Sequence, residues 1–277
     1  MSKASLPGLD IPALLRQYGL HPSKGLGQNF LQDEKALRRI VAAAELNSTD
    51  QVLEIGPGLG SLTRHLARAV ARVVTVELDG DLFPVLKTVL GSYPNVQPVH
   101  GDILELDPAG LMQSPGYVVV ANIPYYITSA VIRHLLESQP GPRRIVLTIQ
   151  KEVAERIVAA DGKMSLLALS VQVYGKPTIA ARIPAEAFYP APKVDSAVLR
   201  IEVMPQPVIP PERLDRFFAL IKAGFSQKRK TLRNSISASL RMEPEKAEAF
   251  LNAAGIDPRR RAETLSLEEW GCLVAGL

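Results

Sequence analysis

Short β-rich runs at residues 51–55, 73–77, 96–100, 117–121 and 144–149 alternate with segments at 62–70, 81–90 and 129–138 that repeat apolar residues every three or four positions. Strands separated by helices of this length return to the same end of a sheet, so the pattern predicts parallel pairing with crossover helices. The expected first domain is therefore a doubly wound α/β sheet, and its ligands belong at the carboxyl ends of the strands. Residues 152–160, with Glu152 and Arg156 at i,i+4 spacing, and 166–174 read as further helices, while 178–183 and 197–203 read as closing strands. Residues 204–211 hold four prolines in eight positions and cannot be regular structure, which places a linker there. Beyond it, 213–224, 228–240, 244–254 and 266–274 read as helices, with Gly255 as a C-cap. The division is 1–203, whose first 24 residues form an N-terminal extension, then the 204–211 linker, then an all-helical 212–277.

Two strand ends carry polar chemistry. The first runs Val52-Leu53-Glu54-Ile55 into Gly56-Pro57-Gly58-Leu59-Gly60, where glycines permit close approach of backbone to a ligand. Glu77 ends the next strand 21 residues after Gly56, at the place where a carboxylate accepts ribose hydroxyl protons, and Gly101-Asp102 ends the third. The spacing Gly-x-Gly-x-Gly departs from the Gly-x-Gly-x-x-Gly of dinucleotide sites, and two carboxylates suit a cationic, phosphate-free adenosine cofactor. Taken singly, Gly58 fits a structural turn and Asp102 a helix N-cap equally well. The ordered set Gly56, Glu77, Asp102, Asn122 favours the ligand reading.

The second runs Val118-Val119-Val120-Ala121 into Asn122-Ile123-Pro124-Tyr125-Tyr126. Asn122 offers a carbonyl acceptor, Tyr125 a stacking face, and Pro124 stiffens the turn and aims the carbonyls near it. Together they suit an amino group on a flat base. An exocyclic amine is a poor nucleophile, so the Asn122 amide oxygen and a backbone carbonyl near Ile123 or Pro124 would take its N–H bonds as positive charge develops.

Hydrophobic residues at 47% and charged residues at 22% suit a soluble globular chain, and no apolar run approaches the ~18 residues of a bilayer span. The N-terminus lacks a secretory pattern and Cys272 is the single cysteine, which points to a reducing cytoplasm. His21, His65, His100 and His134 lack ligand spacing, so no metal is expected. From Glu212 onward there are 12 Lys and Arg against 9 Asp and Glu, and Lys222, Lys228, Arg229, Lys230 and Arg233 follow one another with no acid between. Such a cluster is either a solvated face or a phosphate-contacting surface.

The motifs Leu26-Gly27-Gln28-Asn29-Phe30-Leu31, the glycine turn, Val76-Glu77-Leu78-Asp79, Gly101-Asp102, Asn122-Ile123-Pro124-Tyr125 and Phe188-Tyr189-Pro190-Ala191-Pro192-Lys193-Val194-Asp195-Ser196 run nearly end to end. In this series the chain resembles the ribosomal RNA adenine dimethyltransferases, most closely their bacterial small-subunit (16S) branch; Ile123 stands where many members have Leu. The resemblance implies a Rossmann-like S-adenosylmethionine-dependent methyltransferase with a small C-terminal helical domain that binds rRNA. It implies cofactor contacts from Asn29, Leu31, Gly56, Glu77, Asp102 and Asn122, with Gln28, Gly58, Leu78 and Ile103 in or beside the same motifs. It also implies methylation of N6 on two adjacent adenosines in the 3′-terminal hairpin of small-subunit rRNA, during late maturation of that subunit.

In that setting Asn122, Ile123, Pro124, Tyr125 and Phe188 form the catalytic set. Tyr125 and Phe188 would clamp a flipped base, although Phe188 also fits plain core packing. Lys193, Lys222, Lys228, Arg229, Lys230 and Arg233 would contact rRNA phosphates, with Arg200 a further candidate near the pocket. A monomer is expected. Three other readings stay open: a large-subunit rRNA adenine methyltransferase of the macrolide-resistance type, a nicotinamide-dependent dehydrogenase, and a non-catalytic ribosome assembly factor.

Overall fold

The computed structural model describes residues 6–112, 114–160 and 162–276. In chain order the elements are α1 (Ile11–Gln17), β1 (Phe30–Leu31), α2 (Glu34–Ala44), β2 (Gln51–Ile55), α3 (Ser61–Ala67), β3 (Arg72–Glu77), α4 (Phe83–Leu90), β4 (Val96–His100), α5 (Pro108–Met112), β5 (Val118–Asn122), α6 (Thr128–Glu137) and β6 (Arg144–Gln150). They continue with α7 (Lys151–Ile157), α8 (Leu166–Gln172), β7 (Gly175–Ile183), β8 (Phe188–Tyr189), β9 (Ser196–Val203), α9 (Leu214–Phe225), α10 (Leu232–Leu240), α11 (Pro244–Ala253) and α12 (Leu267–Ala275).

Seven strands form one sheet in the order β4-β3-β2-β5-β6-β9-β7. β4, β3, β2, β5 and β6 pair in parallel, and β9 lies antiparallel to β6. The central strands are apolar on both sides because both faces are covered: Val52, Val73, Val118, Val120 and Val146 pack with Leu37 and Ile40 of α2 and Leu62 and Leu66 of α3. Val74, Val119 and Ile145, one residue out of step, are fully buried as well. From β2 the chain runs outward to β3 and β4, then crosses to β5 on the other side of β2. The carboxyl ends of β2 and β5 are thus neighbours at a topological switch point, in the register Ile55 opposite Ala121. Gly56 and Asn122 follow directly, and a Cβ on Gly56 would stand 3.5 Å from the Asn122 carbonyl oxygen.

Contacts divide the chain into two units: the first runs to Ala154 and takes in Thr178–Val203, and the second comprises Glu155–Pro177 with residues from Met204 onward. The expected boundary at 204 therefore differs for residues 155–177. The physical reason is the apolar face of α8, whose Ala168 and Leu169, with Met164 and Val173, share a core with Phe217 and Leu220 of α9 and Trp270 of α12. The second unit is helical, as its spacing foretold, but α10 starts at Leu232 and not at 228. Residues 226–230 form turns, with the Lys230 amide donating to the Gln227 carbonyl at 3.0 Å.

Among the described residues no helix is long and apolar enough to cross a membrane, and no group of three or more His, Cys, Asp or Glu could hold a metal ion.

Candidate active site

The glycine turn after β2 takes a left-handed path, with φ +68° at Gly56 and +57° at Gly58. At Gly58 a Cβ would lie 2.8 Å from Cδ1 of Phe30, so the turn needs both the conformational freedom and the missing side chain. The freed Gly58 amide donates to Glu77 Oε2 at 3.0 Å, and the Asp79 amide donates to Glu77 Oε1 at 2.9 Å. Both carboxylate oxygens of Glu77 are thus held by backbone before any ligand arrives. Burial pushes its pKa above the ordinary carboxylate value, while the two amides act against that rise.

Asp102, after β4, accepts from the Leu104 amide at 2.9 Å through one oxygen, so it caps the following turn. No helix starts there, so the residue caps a turn and not a helix, and Oδ2 takes no hydrogen bond among the described residues.

Asn122 is oriented by an unexpected partner. Its Nδ2 donates to the Asn29 carbonyl oxygen at 3.1 Å. Only the NH2 end of an amide can face a carbonyl, so the opposite end, Oδ1, is the free acceptor. Pro124 starts a 3-10 turn at Tyr125–Ile127, and its carbonyl is taken by the Ile127 amide at 3.3 Å. The Tyr125 carbonyl is taken by Thr128 Oγ1 at 3.0 Å. Of the carbonyls in this turn, that of Ile123 accepts no hydrogen bond among the described residues and remains available as an acceptor. The Tyr125 hydroxyl bonds Ser196 Oγ on β9 at 2.8 Å, a tether that fixes the ring, and burial raises the phenol pKa.

A cavity at these strand ends brings together every residue expected in the cofactor and catalytic sets. Gln28, Asn29, Leu31, Gly56, Gly58, Glu77, Leu78, Asp102, Ile103 and Asn122 line it, as do Ile123, Pro124, Tyr125 and Phe188. Phe188 also belongs to the core beneath the sheet and is 3% exposed, so it packs and lines the cavity at once. Its strand β8 pairs with β1, setting Phe188 opposite Leu31. Tyr126, 64% exposed at the cavity, was not singled out by sequence.

The basic residues expected at RNA are differently placed. Lys193 is exposed on the first unit; Lys222, Lys228, Arg229 and Lys230 are exposed on the second. Arg233 is ion-paired to Glu248 at 3.0 Å. Arg200 is bound by Glu45 and Glu202, which both raise its pKa, and is engaged in a cluster with Arg144 rather than free toward the cavity.

Among the described residues no Lys, Arg or His lines the cavity, whereas Glu77 and Asp102 do. Such a lining suits the sugar and base of an adenosine and a positive sulfonium. On this fold, a strand-end lining of this kind suits the S-adenosylmethionine-dependent methyltransferases.

Comparison narrows the class. The family model described as ribosomal RNA adenine dimethylase matches residues 21–275, and the chain belongs to that family. Curated relatives called ribosomal RNA small subunit methyltransferase A include one from Dehalococcoides mccartyi strain CBDB1, 47% identical over 96% of this chain and 93% of the relative. Another, from Moorella thermoacetica, is 43% identical over 99% and 98%. Among solved structures, the 23S rRNA methyltransferase ErmE superposes with a TM-score of 0.73 at 31% identity, covering 90% of this chain and 99% of ErmE. A dimethyladenosine transferase from Plasmodium falciparum also gives 0.73, at 26% identity over 88% and 95%. The Rossmann-like methyltransferase fold with a helical C-terminal region is thus the fold found, and the enzyme is an S-adenosylmethionine-dependent rRNA adenine dimethyltransferase.

Proposed function

We propose that this chain methylates N6 of two adjacent adenosines in the 3′-terminal hairpin of small-subunit (16S) rRNA, as a cytoplasmic, monomeric enzyme of late subunit maturation. The observation that carries the chemistry is the Asn122 amide, held by the Asn29 carbonyl so that Oδ1 faces away as an acceptor. The choice of subunit rests on the relatives above, 43% and 47% identical, that bear the small-subunit name.

Glu77 would hold the ribose hydroxyls, Asp102 the adenine amine, and the glycine turn and Asn29–Leu31 the remainder of S-adenosylmethionine, which supplies an activated methyl group when bound. The target base stacks on Tyr125, whose ring the Ser196 tether holds in one orientation, with Phe188 closing the opposite face. Stacking of this kind contributes about 1–3 kcal/mol per base. Asn122 Oδ1 and the Ile123 carbonyl accept from the N6 amine, favour a tetrahedral nitrogen and stabilise the charge that develops on it. No strong base is needed, and positioning supplies a large share of the acceleration. Lys222, Lys228, Arg229 and Lys230 contact rRNA phosphates from the second unit, and Lys193 does so from the first. Arg233, already paired, contributes less.

Methyl transfer from labelled S-adenosylmethionine to unmodified small subunits, with large-subunit rRNA alongside, tests the assignment. Label in the small-subunit rRNA is expected. Label confined to the large-subunit rRNA would support the activity that the ErmE likeness suggests, and label in neither would leave assembly binding as the function.

A further inference from the structure

Gln28 lines the cavity, yet both ends of its amide are engaged by protein. Oε1 accepts from the Ser23 backbone amide at 2.8 Å, and Nε2 donates to Asp79 Oδ2 at 2.6 Å. The Gln28 backbone amide closes the same loop onto the Ser23 carbonyl at 3.1 Å. Asp79, just past β3, is gripped in turn: its Oδ1 accepts from the Asp81 amide at 3.0 Å, and its own amide donates to Glu77 Oε1 at 2.9 Å. At the next residue along the loop, the Asn29 carbonyl accepts from Asn122. One continuous polar chain therefore runs from the glycine turn through Glu77 and Asp79 to Gln28, and the loop carries it on to Asn122.

We propose that Asp79 is a positioning residue for methyl transfer: by gripping Gln28 it fixes loop 23–29, and with it the Asn29 carbonyl that turns the Asn122 amide oxygen toward the reacting amine. Gln28 is then a brace of the cavity wall and not a direct cofactor ligand. The bond is a short, part-buried amide–carboxylate contact, of the charge-assisted kind that is stronger than neutral pairs. An acceptor misaimed by a small rotation loses its grip on the nitrogen, so the effect falls on the chemical step. This inference rests on the role given to Asn122 above.

A reciprocal exchange tests it. In Gln28→Glu two carboxylates face each other, and single-turnover methyl transfer to unmodified small subunits is expected to slow by about ten- to a hundredfold. Adding Asp79→Asn rebuilds the contact with donor and acceptor reversed. The new amide NH2 at position 79 donates to one oxygen of the new carboxylate at position 28, whose other oxygen still accepts from Ser23. The amide oxygen at position 79 still accepts from the Asp81 amide. The double variant should regain the wild-type rate to within about threefold.

A double variant no faster than Gln28→Glu alone, or a Gln28→Glu enzyme as fast as wild type, overturns the proposal. Hydrogen exchange gives a readout independent of catalysis. Amides 23–29 should exchange faster in Asp79→Asn while those of β2 and β3 keep their protection, and unchanged protection at 23–29 also overturns it. Wild-type protein that transfers no methyl group to either rRNA would instead defeat the functional reading, with the exchange result still deciding the brace.

Discussion

Replacing Glu54 by glutamine should stabilise the protein at pH 8 far more than at pH 5. Glu54 lies on β2, two residues before the glycine turn, and is 1% exposed. Thr75 Oγ1 donates to its Oε2 at 3.0 Å. Burial pushes its pKa from 4.5 up to about 7; the Thr63 and Thr75 hydroxyls offset part of that rise and the nearby Glu77 charge adds to it. Between pH 4.5 and 7 the folded protein therefore binds more protons at this site than the unfolded chain does. The site's contribution to stability is greatest below pH 4.5 and is lost as pH rises through 7. At about 1.4 kcal/mol for each tenfold change in proton activity, the loss is about 3 kcal/mol. Glutamine keeps the shape and an acceptor for Thr75 but carries no charge, so it removes this pH dependence. Chemical denaturation of both proteins from about pH 5 to about pH 8 reads it directly, because the other titrating groups cancel in the difference. The gain from Glu54→Gln should grow by about 2–3 kcal/mol across that range. A difference that stays constant with pH would show that Glu54 titrates like an exposed carboxyl, and the reasoning would fail.

Gly58→Ala places a Cβ 2.8 Å from Phe30 at φ +57°; it should cost about 1–3 kcal/mol of stability and weaken S-adenosylmethionine binding by calorimetry, and wild-type values for both would refute the close-packed turn. Asn122→Ala should slow single-turnover methyl transfer by about 10²–10³-fold, the scale of removing one group that stabilises developing charge, and a loss under about fivefold would deny Oδ1 its role. Arg229→Ala with Lys230→Ala should weaken RNA binding and lower the slope of log affinity against log salt by about two, and an unchanged slope would remove them from the phosphate contacts.

Four of the five parallel strands were legible as local apolar runs ended by polar residues, and the edge strand β4, Val-Gln-Pro-Val-His, by its place between helical segments; the expected 51–55 coincides with β2 and 96–100 with β4. The strand-end residues were legible for the same reason, since Gly56, Glu77, Asp102 and Asn122 each follow directly on or close such a run. Contacts between distant segments were not. Nothing near Phe30 and Leu31 in sequence announces their pairing with Tyr189 and Phe188. The apolar face of α8 gives no sign of whether it covers the sheet or joins the helical core. Arg200 read as a free cation although Glu202, two residues on along β9, is one of its partners; the other, Glu45, lies 155 residues away. Asp79 was visible within a motif, but its role depends on Gln28, 51 residues earlier, and no local spacing encodes that bond. Sequence also placed Lys228–Lys230 on a helix, whereas Thr231 caps the helix that begins at Leu232 and leaves them in the preceding turn.

The most direct measurement is nucleoside mass spectrometry of unmodified small subunits after reaction with the enzyme and S-adenosylmethionine, with each modified position mapped. N6,N6-dimethyladenosine at two adjacent positions near the 3′ end of the small-subunit rRNA is the expected product, because the acceptors proposed at Asn122 and Ile123 would take the N–H bonds of an exocyclic amine on the stacked base. Methylation of any other base, or of a ring nitrogen or ribose oxygen, would contradict the role assigned to Asn122 and Ile123.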